Sequence, residues 1–256
     1  MEQNALLEQG PKEGSWRQPW EGAWEPLLES FDGRALLTPE HFCGVFGRKN
    51  RTLQQGDRPT GAEAAAPFRS MAGSFAGFMK TTAVGDEWFF DMTLTVAVLP
   101  ARVGTHIRRA HRMEGDRMYG EAIQADGARM PADVYRRLSE PGISPLAGAW
   151  ELVSGGWDGL MVTTDTEYRY IVTSKNRPQV TGPVREISDA DATTLYHSFD
   201  AEGGSYTASG STMTRRPEIA RDSRKQGSQV HFDIELAGNL LTIQSAQDEL
   251  AWRRLE

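Results

Sequence analysis

The strongest constraint on the fold of this chain is internal. Gly22-Ala23-Trp24-Glu25 recurs as Gly148-Ala149-Trp150-Glu151, Asp32-Gly33 as Asp158-Gly159 and Lys49-Asn50-Arg51 as Lys175-Asn176-Arg177, each 126 positions later. A self-match that keeps one offset across separate segments is the mark of a duplicated unit. Further on, Thr60 with Glu63 and Ser188 with Asp191 match at an offset of 128, each reading as a helix N-cap with its acidic partner three residues on, and Phe68 and Tyr196 keep that offset. Gly104-Thr105 pairs with Gly227-Ser228 at 123, and the copies close on Tyr135-Arg136-Arg137-Leu138 and Trp252-Arg253-Arg254-Leu255 at 117. Repeat one therefore occupies 18–140 and repeat two 146–256, with Pro141, Gly142 and Pro145 in the linker between them. Residues 1–17 fall outside the repeat and read as a polar extension.

Each copy alternates apolar and polar residues with a period of two, the pattern of a half-buried strand. In the second copy the strand signals are Trp150 to Ser154, Leu160 to Thr164, Glu167 to Thr173, Ser205 to Ala208, Gln229 to Leu236, Leu240 to Gln244 and Leu250 to Arg254. The first copy adds a longer pair of runs, Ser74 to Thr81 and Glu87 to Leu99. The expected fold is all-β: two tandem small antiparallel β-barrels of six or seven strands, each with one short helix plugging an end.

Composition narrows the function. The net charge of −7 and the scattering of the arginine pairs argue against nucleic acid, whose backbone recruits concentrated basic surface. One cysteine, Cys43, excludes an intrachain disulfide, the first residues lack a signal-peptide pattern, and no apolar run approaches the roughly 18 residues of a membrane span. A cytoplasmic protein without membrane contact is expected. Five scattered histidines form no metal-ligand spacing, and no phosphate loop or nucleophile elbow is present, so neither metal nor cofactor is expected.

Gly22-Ala23-Trp24 and Gly148-Ala149-Trp150 at the start of each copy, with Arg136 or Arg137 and Arg253 or Arg254 at its end, resemble the lipocalin and calycin signature: a G-x-W strand whose tryptophan is covered by an arginine from the closing strand. The stretch from Gly148 to Tyr168 is similar to bacterial intracellular lipocalin-like domains. Thr164-Asp165 with Tyr168 lies too early to be the lipocalin T-D-x-Y loop, and each copy is shorter than a secreted lipocalin. The resemblance implies a barrel around a small-molecule pocket, with Trp24 and Trp150 as packing residues covered by cation-π contact.

Comparing the copies locates the expected pocket. At offset 123, Val230, Phe232, Ile234 and Leu236 face inward in copy two, and the same places in copy one hold Ile107, Arg109, His111 and Met113. A bulge could instead turn the basic pair to solvent. In an earlier strand Tyr168, Tyr170 and Val172 correspond to Phe42, Gly44 and Phe46, so a ring is lost at Gly44 and room is expected there. Trp88, Phe90, Met92, Leu94, Val96 and Val98 would supply apolar walls. A roomy apolar pocket with convergent polar groups is the usual description of a ligand site. His111 as proton shuttle and Arg109 as fixed cation, with Phe42, Gly44, Phe46, Trp88, Phe90, Met92, Ile107 and Met113 as binding residues, would suit a cofactor-independent lyase, isomerase or cyclase acting on a small hydrophobic or aromatic molecule. Similar small barrels of the calycin and allene-oxide-cyclase-like groups do such work. The alternatives are a non-catalytic binding protein with the same pocket, or a scaffold whose repeats pack together or form a homodimer.

Overall fold

The structure, a computed structural model, describes residues 18–51, 54, 56–180, 182–246 and 249–256; the expected N-terminal extension 1–17 lies outside them. The chain forms two closed eight-stranded antiparallel barrels in up-and-down order. The first contains β1 (Gly22–Pro26), β2 (Phe31–Leu37), β3 (His41–Arg48), β4 (Phe75–Val84), β5 (Glu87–Ala97), β6 (His106–Glu114), β7 (Arg117–Ile123) and β8 (Asp133–Ser139), with α1 (Ala62–Met71) between β3 and β4. The second contains β9 (Gly148–Leu152), β10 (Trp157–Thr163), β11 (Glu167–Ser174), β12 (Phe199–Ser209), β13 (Thr212–Ala220), β14 (Val230–Ala237), β15 (Leu240–Gln244) and β16 (Glu249–Arg254), with α2 (Asp189–Tyr196) between β11 and β12. Closure leaves neither sheet a free lateral edge: β1 pairs with both β2 and β8, and β9 with both β10 and β16.

Eight strands per barrel exceed the six or seven expected; in the second copy the unexpected one is β13, which carries Arg215-Arg216-Pro217-Glu218 and reads as polar loop. Both copies bulge at the same place, between Ala76 and Gly77 and between Gly203 and Gly204. A Cβ on Gly77 would lie 2.0 Å from the Thr93 carbonyl oxygen and one on Gly204 2.0 Å from that of Arg216, so glycine is what lets these backbones approach. Across from its bulge β5 changes face. Trp88, Phe90, Met92 and Leu94 join the barrel interior, whereas Val96 and Val98 turn outward into the contact between barrels, which corrects the expectation of one continuous wall.

The tryptophan device occurs twice. The Arg137 guanidinium sits 4.3 Å from the Trp24 ring and that of Arg254 4.1 Å from Trp150. Trp24 Nε1 donates to the Trp20 carbonyl at 2.8 Å and Trp150 Nε1 to the Leu146 carbonyl at 3.1 Å, while Arg137 and Arg254 donate to the Glu21 and Ala147 carbonyls, each at 2.7 Å. Arg136 and Arg253 point outward to Glu25 and Glu151.

The helices do not plug the barrels. Ala64, Ala65, Phe68 and Met71 of α1 and Ala192, Leu195 and Tyr196 of α2 belong to an apolar cluster between the barrels, together with outward residues such as Cys43, Val45, Val162 and Ile171. Ser188 caps α2, accepting from the Asp191 amide at 3.1 Å, but α1 starts at Gly61 without a side-chain cap, and Glu63 instead accepts from the Gly56 amide at 2.9 Å. Contacts across this seam are reciprocal. Helix α1 meets α2, β3 meets β11, and β3 meets β10, β12 and β13 as β11 meets β2, β4 and β5. The two halves thus face each other about an approximate two-fold axis, the geometry of an isologous dimer within one chain.

Candidate functional site

The strand β6 alternates cleanly. Arg108 and Arg112 point outward, Arg108 toward Asp91 at 3.4 Å, while Ile107, Arg109, His111 and Met113 point into the first barrel. The imidazole of His111 stacks on Phe90 with ring centroids 4.0 Å apart and planes 27° apart. Its ladder partner on β7 is Gly120, where a Cβ would lie 2.7 Å from His111 Nε2, so the absent side chain makes room for the ring. Arg109 donates to the Gly120 carbonyl and to Asp133 Oδ2 on β8, both at 2.7 Å. Among the described residues, two buried nitrogens of this pair, Arg109 Nε and His111 Nδ1, have no hydrogen-bond partner.

Burial, with Arg109 adding a like charge, pushes the pKa of His111 down to about 3, so the ring is neutral at pH 7. Burial, reinforced by Asp133, raises that of Tyr135 on β8 against the opposing pull of Arg109.

Arg109 and His111 border a cavity together with Phe42, Gly44, Phe46, Phe90 and Met92, all expected at the site. Trp88, Ile107 and Met113 pack against the same interior but do not line the cavity. Phe75, Met118 and Tyr135 line it and were not anticipated. Tyr135 could have been found from the alternation that puts Arg137 inside, since residues two apart on a strand share a face. The cavity measures about 50 Å³. That accommodates a few water molecules, far short of the roughly 300 Å³ or more that encloses a drug-sized ligand. Gly44 does not open the expected space: a Cβ there would lie 2.4 Å from the Phe46 ring, which folds over the glycine and takes up the room.

The second barrel is not filled by apolar residues alone. Arg215 on β13 is buried under Tyr168, Tyr170 and Phe232, with ring centroids 4.7, 5.5 and 4.9 Å from its guanidinium. Tyr168 donates to Glu202 at 2.6 Å and Tyr170 to Asp200 at 2.9 Å, and burial raises the pKa of Glu202. Aligning the two bulges puts Arg215 in the place of Met92, while Phe232 and Ile234 stand in the places of Arg109 and His111. Among the described residues, each barrel thus carries one guanidinium within its wall besides the tryptophan-covering Arg137 or Arg254, Arg109 on β6 and Arg215 on β13, and the first adds a histidine beside it.

The remaining histidines lie elsewhere. His106 and His231 are exposed, His197 bonds the Pro59 carbonyl at 2.9 Å, and His41 is half-buried against Glu256 with Nδ1 2.8 Å from the carboxylate. Among the described residues no group of three or more His, Cys, Asp or Glu side chains is placed to hold a metal ion, and no helix is long and apolar enough to cross a membrane.

No protein-family model and no curated protein matches the sequence. Among solved structures the chain is similar to the crystal structure of uncharacterized protein YLR301w from Saccharomyces cerevisiae, with a TM-score of 0.55 at 12% identity, covering 91% of this chain and 97% of that one. At that identity the likeness shows the fold alone.

Proposed function

We propose that this chain is a tandem lipocalin-like, calycin-type protein whose first barrel binds, without turning over, a small and largely apolar molecule carrying an acidic group. The observation that carries this reading is His111: a neutral imidazole with an unpartnered buried Nδ1, stacked on Phe90 and set beside Arg109 on the wall of an aromatic and thioether cavity. An unsatisfied buried nitrogen costs about 1–3 kcal/mol. A ligand oxygen would relieve it. Met92 and Met118 supply the pliancy for a void of about 50 Å³ to open around a guest, because thioether side chains repack readily. The two Trp–Arg pairs support the lipocalin-like assignment.

The adjacency of Arg109 and His111 also suits a cofactor-free lyase, isomerase or cyclase. An imidazole with a pKa of about 3 is a poor proton shuttle at neutral pH, and this favours holding over turnover. Methionine-methyl NMR with benzoate tests the binding reading. Saturable shifts are expected at Met92 and Met118, weakened about tenfold in Arg109→Met, which loses a charged hydrogen bond. Unmoved Met92 and Met118 methyls up to the solubility limit would overturn it. Under the catalytic reading, His111→Ala abolishes turnover while retaining affinity.

A further inference from the structure

Two clefts flank the seam between the barrels, and the approximate two-fold axis relates them. One, of about 150 Å³, is lined by Glu25, Asp32, Gly33, Arg34, Glu218 and Ile219, with Arg48, Arg51 and Gln226. The other is lined by the counterparts Glu151, Asp158, Gly159, Leu160 and Val96, with Thr95 in the place of Glu218. Their acidic rims agree, with Glu25 and Glu151 bound to Arg136 and Arg253, and Asp32 and Asp158 lying 3.9 and 3.8 Å from Lys49 and Lys175. Their floors differ. Arg34 lines the first where Leu160 lines the second, and Arg48 and Arg51 line only the first, so arginines are gathered in one of the two clefts.

Counting donors against acceptors gives that difference a direction. The carboxylates of the first cleft are engaged: Arg34 bridges Glu25 and Glu218, reaching Glu218 Oε2 at 2.8 Å. Gln226 Oε1 accepts from Arg51 at 2.8 Å, and the second donor of that same Arg51 nitrogen goes to the Ala220 carbonyl at 2.9 Å. Donors remain over. Arg34 Nε and Arg51 Nη1 are buried without partners, and neither Arg48 nor Arg51 has an ion pair among the described residues. Burial lowers the pKa of Arg51 against the opposing pull of Asp32, which forms no ion pair with it. Gly47 makes the close approach possible, since a Cβ there would lie 3.1 Å from Arg51 Nη1 and 3.3 Å from Ile219 Cδ1.

We infer that the Arg34–Arg48–Arg51 cleft at the barrel seam is a binding site for a small phosphate dianion, either inorganic phosphate or the terminal group of a phosphorylated metabolite. Two cations without carboxylate partners call for two negative charges, guanidinium forks match phosphate oxygens, and the volume admits a phosphate with little attached. The site is independent of the cavity inside the first barrel. Because one wall comes from each barrel, an occupant ties the halves together and stabilises the folded chain in proportion to its occupancy.

Calorimetric titration and thermal melts of the full chain with inorganic phosphate, with glycerol phosphate and with equal ionic strength of chloride test this. Saturable heat and a rise in Tm are expected with phosphate and not with chloride. Tighter binding of glycerol phosphate would point to a metabolite, and equal or weaker binding to the inorganic ion. Arg48→Gln, an exposed change that touches no ion pair, should weaken binding about tenfold, and Arg51→Gln at least as much. Arg177→Gln, the matched arginine that crosses the other side of the seam to the Val98 carbonyl, should leave the affinity unchanged and controls for damage to the seam. No saturable binding by the wild-type chain, or wild-type affinity in Arg48→Gln, would overturn the assignment.

Discussion

His111 loses its water on folding and gains a ring stack, but no hydrogen bond at Nδ1. Its folded pKa, about 3, lies below the ordinary histidine value of 6.5, so between these values the unfolded chain holds a proton that the folded chain lacks. Stability is therefore fully present above pH 6.5 and declines as pH falls toward 3, by at most roughly 5 kcal/mol from this one group. Replacing His111 with isoleucine, the residue its counterpart Ile234 uses, should flatten that acid limb and leave stability at pH 7 equal or higher. Urea melts from pH 7 to 4 measure both, and an unchanged acid limb would mean that His111 is charged or exposed. The inward placement of Arg109 and His111 was legible because the second copy shows its core pattern at the same register. The Phe46 ring over Gly44 was not legible, since a missing side chain does not say which neighbour fills the gap.

At the scale of elements, the paired bulges redirect what alternation predicts. Strands with clean period-two patterns, such as β11, β14 and β15, could be read from sequence nearly to their ends. β13 could not, because its buried Arg215 looks like a surface residue and Pro217 sits opposite Gly204 at the bulge, where a ladder hydrogen bond is dispensable. The same irregularity in β4–β5 sends Val96 and Val98 out of the interior. Gly204→Ala should cost on the order of 2–4 kcal/mol, because the added methyl meets backbone rather than a movable side chain. Chemical denaturation checks this, and a loss below about 0.5 kcal/mol would show that the bulge relaxes freely.

For the whole molecule, the duplication does more than repeat a barrel. The apolar cluster at the seam draws on both copies and both helices, and Arg51 and Arg177, matched residues, each reach across it, to the Ala220 and Val98 carbonyls at 2.9 and 3.0 Å. A core shared in this way makes the barrels one cooperative unit. Calorimetry should show a single transition with equal calorimetric and van't Hoff enthalpies, whereas two resolved transitions would mean that the seam contributes little. The repeat announced two like halves, but it could not announce their mutual orientation, because outward apolar residues such as Val45 and Ile171 read equally well as either wall of a barrel. The binding role rests on the difference between the two interiors, and a crystal soaked in benzoate tests it most directly. Electron density inside the first barrel is expected, with the carboxylate within hydrogen-bond reach of Arg109 and His111 and the ring among Phe42, Phe90 and Met92. Benzoate lodged in the second barrel, or only on the outer surface, would contradict it.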